Sequence, residues 1–109
     1  MQYLAMIYVD ETAPADYSKT SPEYEEYNRQ LSDAGVRKGG VRLGHSSTAT
    51  TVRVRDGEEL FTDGPFAEAR EQLGGYFLFE CENLDEALKW AAQCPGAQHG
   101  AVEVRPLAY

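Results

Sequence analysis

Hydrophobic positions in this chain switch between strand and helix spacing several times. Residues 2–9 are apolar on both alternating sides, with Tyr3, Ala5, Ile7 and Val9 on one and Leu4, Met6 and Tyr8 on the other. A strand of that kind needs cover on both faces. A polar, proline-containing loop is expected over 10–20. Ser21-Pro22 then predicts a helix start, with Ser21 as the cap and Pro22 at the first helical position, followed by acids that suit the dipole. Tyr24, Tyr27, Leu31 and Ala34 form the apolar stripe of that helix, and Gly35 ends it.

Residues 40–45 read as a second strand and 50–56 as a third, where Val52 and Val54 alternate with Arg53 and Arg55. Asp56-Gly57 is a hairpin signal, and 59–62 return as a short strand. A short helix is predicted over 66–73 and a central strand over 75–82, again apolar on both sides. Asn83, with Glu86 three residues later, predicts a capped helix over 84–93 whose Leu84, Ala87, Leu88 and Ala91 face inward. Pro95-Gly96 stops it, and 99–107 form the last strand.

The order β-α-β-β-α-β with an inserted hairpin fits an α+β, ferredoxin-like plan. Both helices would lie on one face of an antiparallel sheet and leave the other face apolar and bare. A face-to-face homodimer, its two sheets enclosing a barrel-like core, covers that face. The alternative is that 66–73 folds back as a lid over a monomer. Each buried large side chain contributes about 1.5–3 kcal/mol, so some cover is expected.

With 109 residues the chain suits one domain spanning 1–109. Its net charge of −8 opposes binding to nucleic acid or to anionic membranes. The apolar start is short and lacks basic residues and a cleavage site, so neither a signal peptide nor a membrane span is expected. Cys81 and Cys94 lie on different predicted elements and read as buried thiols in a cytoplasmic protein. No zinc-type cluster or phosphate-cradling loop is present, so no metal or organic cofactor is expected.

The densest local signal is Thr62-Asp63-Gly64-Pro65-Phe66-Ala67-Glu68-Ala69-Arg70-Glu71-Gln72-Leu73-Gly74-Gly75. Gly64 tolerates positive φ, Pro65 fixes its own φ, and Asp63 can bond the backbone ahead of it. Two readings of Asp63 follow. It is a general base or polar anchor in a pocket wall that includes Phe66, or it is a rigid turn residue without chemistry. His45, beside Ser46 and Ser47, is a candidate proton-transfer group; a solvent-exposed histidine is the alternative. His99 is a weaker candidate at a strand entry. Arg53 and Arg55 are candidates to hold a carboxylate ligand, or else pair with Glu103 or Glu80 across strands. Tyr8 is a candidate hydroxyl donor in the same cavity, or a core tyrosine.

Several blocks, in order, carry a family likeness. Residues 48–57 (Thr-Ala-Thr-Thr-Val-Arg-Val-Arg-Asp-Gly), 62–68, 71–76 (Glu-Gln-Leu-Gly-Gly-Tyr), 84–88 (Leu-Asp-Glu-Ala-Leu) and 102–106 (Val-Glu-Val-Arg-Pro) resemble the DGPF-domain proteins of the YCII-related (YciI-like) superfamily. The likeness runs from about Tyr3 to Leu107. It implies a dimeric α+β barrel. Some members lie near or are fused to extracytoplasmic-function sigma factors, and a related domain occurs in a chlorinated-aromatic dechlorinating lyase. The better-known branch carries a histidine early in the first helix, proposed to pair with an aspartate. That place here is Tyr24, so the pair does not carry over.

Two functions are therefore expected to compete. One is a cofactor-free, enzyme-like domain moving a proton, or doing lyase chemistry, on a small molecule in a barrel cavity. The other is a non-catalytic ligand-binding or regulatory module, which the resemblance links to sigma-factor-dependent transcription. An enzyme needs two titratable groups in reach of one pocket, whereas a module would expose an apolar patch outside the sheet face.

Overall fold

A computed structural model describes residues 1–12 and 21–109. The predicted loop over 10–20 therefore lies outside the described residues from position 13. Four strands make one antiparallel sheet: β1 (Gln2–Asp10), β2 (Arg37–Arg42), β5 (Glu71–Glu80) and β6 (Ala101–Pro106), in the order β2-β5-β1-β6. Helices α1 (Pro22–Asp33) and α2 (Leu84–Ala92) pack on one face. Between β2 and β5 the chain leaves to form a separate two-stranded sheet from β3 (Thr50–Arg55) and β4 (Glu58–Asp63). This is the expected α+β arrangement, compatible with a ferredoxin-like plan. Among the described residues, no helix is long and apolar enough to cross a membrane.

Alternation along the long strands sorts the two faces. Tyr3, Ala5 and Ile7 of β1 and Phe77 and Phe79 of β5 point to the helices and are buried. There they meet Tyr27 and Leu31 of α1 and Ala87 and Ala91 of α2. Tyr27 stands edge-on to Phe77 at 5.4 Å and donates its hydroxyl to the Trp90 carbonyl at 2.7 Å, which ties α1 to α2. Both helix starts use the caps that the sequence predicts. Ser21 accepts from the Tyr24 amide, and Asn83 from the Glu86 amide. Cys81 and Cys94 are free and buried.

Among the described residues, the opposite face carries no helix. Leu4 stands between Leu78 and Arg105, Met6 between Tyr76 and Glu103, and Tyr8 between Leu73 and Ala101. Val41 extends the Tyr76 row outward and is 48 % exposed. The Glu103 and Arg105 side chains pair with each other along β6.

Several boundaries differ from the sequence expectation. Residues 66–70 form no helix, and β5 begins at Glu71, because Glu71, Gln72 and Leu73 find partners on the long β1. Pairing overrides the local helical preference there. The second strand starts at Arg37, since Arg37 pairs with Phe79 although two weak strand formers, Gly39 and Gly40, follow. The last strand covers Ala101–Pro106, leaving His99 at the end of the short turn Pro95–Gln98. On α2 the contact line is Ala87 and Ala91, with Trp90 and Cys94 beside it. These small residues let the helix lie close, and Leu84 and Leu88, predicted inward, turn out to solvent at 45 % and 46 % exposure.

The glycine pair at 74–75 has a structural cause. Ile7 pairs with Gly75 and Tyr8 with Leu73, so Gly74 is the extra residue of a β-bulge. Its carbonyl, turned out of the ladder, accepts the Leu43 amide at 2.9 Å. At Gly75 a Cβ would lie 2.5 Å from the Val41 carbonyl oxygen. Only glycine lets β2 approach β5 at that point.

Candidate functional site

The bulge sits where β1 runs out of the sheet, and ionisable side chains gather around that end. Asp10 lies on the same side of β1 as Tyr8, by alternation. Its carboxylate accepts the Arg70 Nε–H at 2.8 Å and both the amide and the hydroxyl of Thr12. The Thr12 hydroxyl and amide, followed by the Arg70 guanidinium, hold the Asp10 carboxyl down at about 2. Asp10, Ala69, Arg70, Glu71 and His99 line an open, shallow groove.

Glu11 follows at once and is the best-shielded acid of the cluster, with a side chain only 8 % exposed. Burial pushes its carboxyl up. The Ser46 hydroxyl and amide, with His45 nearby, outweigh that and leave it below the usual carboxylate range. His45 Nε2 lies 3.6 Å from Glu11 Oε1. The Ser47 amide donates to His45 Nδ1 at 3.1 Å, and Ser47 Oγ lies 3.0 Å from the same nitrogen. An accepting Nδ1 fixes the proton of the neutral imidazole on Nε2, facing Glu11. The unit is thus an ionised carboxylate, an oriented imidazole and two serine hydroxyls. The same contacts cap the turn Ser46–Thr48 that leads into the hairpin.

The remaining candidate residues stand elsewhere. Asp63 ends β4 opposite Thr50 and is exposed. Gly64 has φ of 107° and donates its amide to the Ala49 carbonyl at 2.8 Å, and its own carbonyl accepts the Thr51 hydroxyl. These two bonds tie the turn at Gly64 back to the start of β3. Phe66, however, is 79 % exposed and lines no wall; its ring carries the Arg53 guanidinium 5.4 Å from its centroid. The cross-strand pairs considered for Arg53 and Arg55 do not form. Glu103 takes Arg105, Glu80 takes the chain's amino terminus, and Arg55 bonds the Val54 carbonyl. The structure thus brings His45 to Glu11, places Tyr8 on the bare face next to Asp10's end of β1, and leaves Asp63, Arg53 and Phe66 on the hairpin.

Glu11, Asp10 and Arg70 are the residues that sequence reasoning missed. Glu11 and Ser46 are 35 positions apart, and no spacing rule links them. The available hint is an Asp-Glu pair at the mouth of a doubly apolar strand. Tyr24 belongs to the helix side. Its half-buried hydroxyl lies 3.6 Å from Cys94 Sγ, and burial followed by that thiol pushes its pKa up, so it stays protonated. Among the described residues, no group of His, Cys, Asp and Glu side chains is arranged to hold a metal ion.

Two comparisons place the chain. The model of the YCII-related domain matches residues 1–108. An uncharacterized protein of Rhizobium meliloti (strain 1021), R00369, is 38 % identical over 115 residues, covering 99 % of this chain and 93 % of that one. With the antiparallel sheet and its two helices already described, these matches show that the chain belongs to the YCII-related family.

Proposed function

We propose that this protein is a cofactor-free, enzyme-like domain that moves a proton on a small polar molecule at the bulged end of its bare sheet face. The carrying observation is the contact between His45 Nε2 and the shielded, ionised Glu11. The carboxylate faces Nε2 and holds the orientation of the ring that would move the proton. The Asp10–Arg70 pair and Tyr8 supply fixed polar contacts beside it. In this reading the protein works in the cytoplasm as a homodimer joined through the bare face, which walls the site off from bulk water. Asp63, Arg53 and Phe66 serve the ligand when assembly brings the hairpin over the groove.

A thermal-shift screen of small polar metabolite-like compounds tests this. Ligands should raise the melting temperature of the wild type, and that rise should vanish in His45→Gln. Hits that stabilise both proteins equally count against the site.

One observation favours the competing module. The hairpin exposes Val52, Val54, Leu60, Phe61 and Phe66 outside the bare sheet face. A regulatory domain, such as one serving sigma-factor-dependent transcription, would dock through such a patch. In that case hairpin substitutions would abolish binding of a protein partner and leave small-molecule binding intact.

A further inference from the structure

We infer that Ser47 is a nucleophile with His45 as its base, and that this pair takes the acyl group of a small carboxylic ester and passes it to water. Ser47's role rests on the reading of His45 as the group that moves a proton. Three side chains stand in line. Glu11 Oε1 lies 3.6 Å from His45 Nε2, and His45 Nδ1 lies 3.0 Å from Ser47 Oγ. A carboxylate, an imidazole and a serine hydroxyl joined in that order activate an alcohol, and they are recognised by geometry and roles rather than by position in the chain. Here Nδ1 is the nitrogen that faces the serine. Either ring nitrogen can accept a proton when the other carries one.

The hydroxyls of the turn Ser46–Thr48 are separated by their partners. Ser46 Oγ donates to the Glu11 carboxylate, and Thr48 Oγ1 donates to the His45 carbonyl. Both protons are committed. Ser47 Oγ faces the ring nitrogen and belongs to an exposed residue, so an ester carbonyl can reach it. Glu11 is shielded and also held by the Ser46 amide at 2.9 Å. It orients the ring as a positioning residue and leaves the open side of the imidazole to the serine and the ester.

In the first step Ser47 Oγ bonds to the carbonyl carbon while its proton passes to Nδ1. The Ser47 amide donates to Nδ1 at 3.1 Å in the free protein. Once Nδ1 carries a proton, that amide loses its acceptor and becomes a donor beside the nucleophile. A backbone N–H of the nucleophile itself is the kind of group that stabilises an oxyanion. The bond from carbon to the leaving oxygen then breaks, and the alcohol departs with the proton from Nδ1. Water attacks the acyl-serine by the same route, which releases the carboxylic acid and restores Ser47. Ester and water become acid and alcohol, with no further reactant.

Incubation of the full chain with para-nitrophenyl acetate tests the inference through release of para-nitrophenolate and the position of the acetyl group in peptide mass spectra. The wild type should release a burst of para-nitrophenolate and carry the acetyl group on Ser47. His45→Gln and Ser47→Ala should each lower the burst rate about 100-fold or more. Glu11→Gln should lower the maximal acylation rate about tenfold or more and leave the half-saturating ester concentration unchanged, because Glu11 touches the ring and not the ester. A merely structural role for Glu11 would reduce the burst amplitude and spare its rate. Acetyl groups confined to lysines, cysteines or the amino terminus overturn the inference, as does a burst that survives Ser47→Ala or a maximal rate unchanged in Glu11→Gln. If ligands of the thermal screen depend on His45 while Ser47 is never acylated, the inference falls and the proton-moving reading stands. If Ser47 is acylated equally fast in His45→Gln, both fall. Should Ser47→Ala fail to fold, the position of the acetyl group on the wild type decides.

Discussion

His45 Nε2 faces Glu11 Oε1 at 3.6 Å, and the same carboxylate receives the amide and hydroxyl of Ser46. One shielded acid therefore orients an imidazole and also pins the start of the hairpin. Glu11→Gln keeps the size of the side chain but loses the charge that faces His45. It should cost about 1–3 kcal/mol in urea unfolding at neutral pH. An unchanged midpoint would mean that the contact does no structural work.

Acid should weaken the fold through the same end of the sheet. Asp10 is held at about 2 and Glu11 below its ordinary value, so both are more acidic folded than unfolded. Protons then bind the unfolded chain preferentially, and the stability these groups contribute is present above their unfolded values. It should be complete above about pH 5 and fall progressively toward pH 2. Denaturation midpoints measured across that range should drop, and Asp10→Asn should flatten part of the drop. A wild type as stable at pH 3 as at pH 7 would contradict this.

Gly75→Ala tests the close approach of β2 to β5. The added methyl would meet the Val41 carbonyl oxygen at 2.5 Å, and backbone cannot yield as a side-chain tip can. A loss of about 1–3 kcal/mol is expected, in the range of overpacking substitutions. Gly57→Ala, with no atom within 4 Å of its added methyl but φ of 80°, separates backbone strain from crowding. Its loss should be the smaller of the two.

Leu78→Glu tests the bare face. Leu78 pairs with Leu4 there, on the side away from the helices, so the chain should still fold. Circular dichroism should stay native while sedimentation shifts to monomer. A variant that stays dimeric would move the assembly to another surface.

The α+β plan was legible because its signals are local. Ser21, Asn83 and the doubly apolar β1 announce themselves through caps and alternation, and each is found in its place. The short helix expected over 66–73 failed because Gln72 and Leu73 are claimed by β1, a partner more than 60 residues away. The site was legible only in part. His45 carries the right chemistry on its own, but its partner Glu11 is supplied by topology, which spacing does not encode. Phe66 was expected inside a wall because aromatic burial is favourable, yet the stem that positions it ends outside the core, and Arg53 covers its ring instead.

The side-chain nitrogen resonances of His45 test the central claim most directly, followed by NMR during titration with a ligand from the thermal screen. The account predicts that the resonances shift on titration, alongside the amides of Glu11, Ser46 and Arg70, and that Glu11→Gln abolishes or greatly weakens the response. A ligand that binds while His45 stays unmoved, or one whose effect on His45 survives Glu11→Gln unchanged, would contradict it.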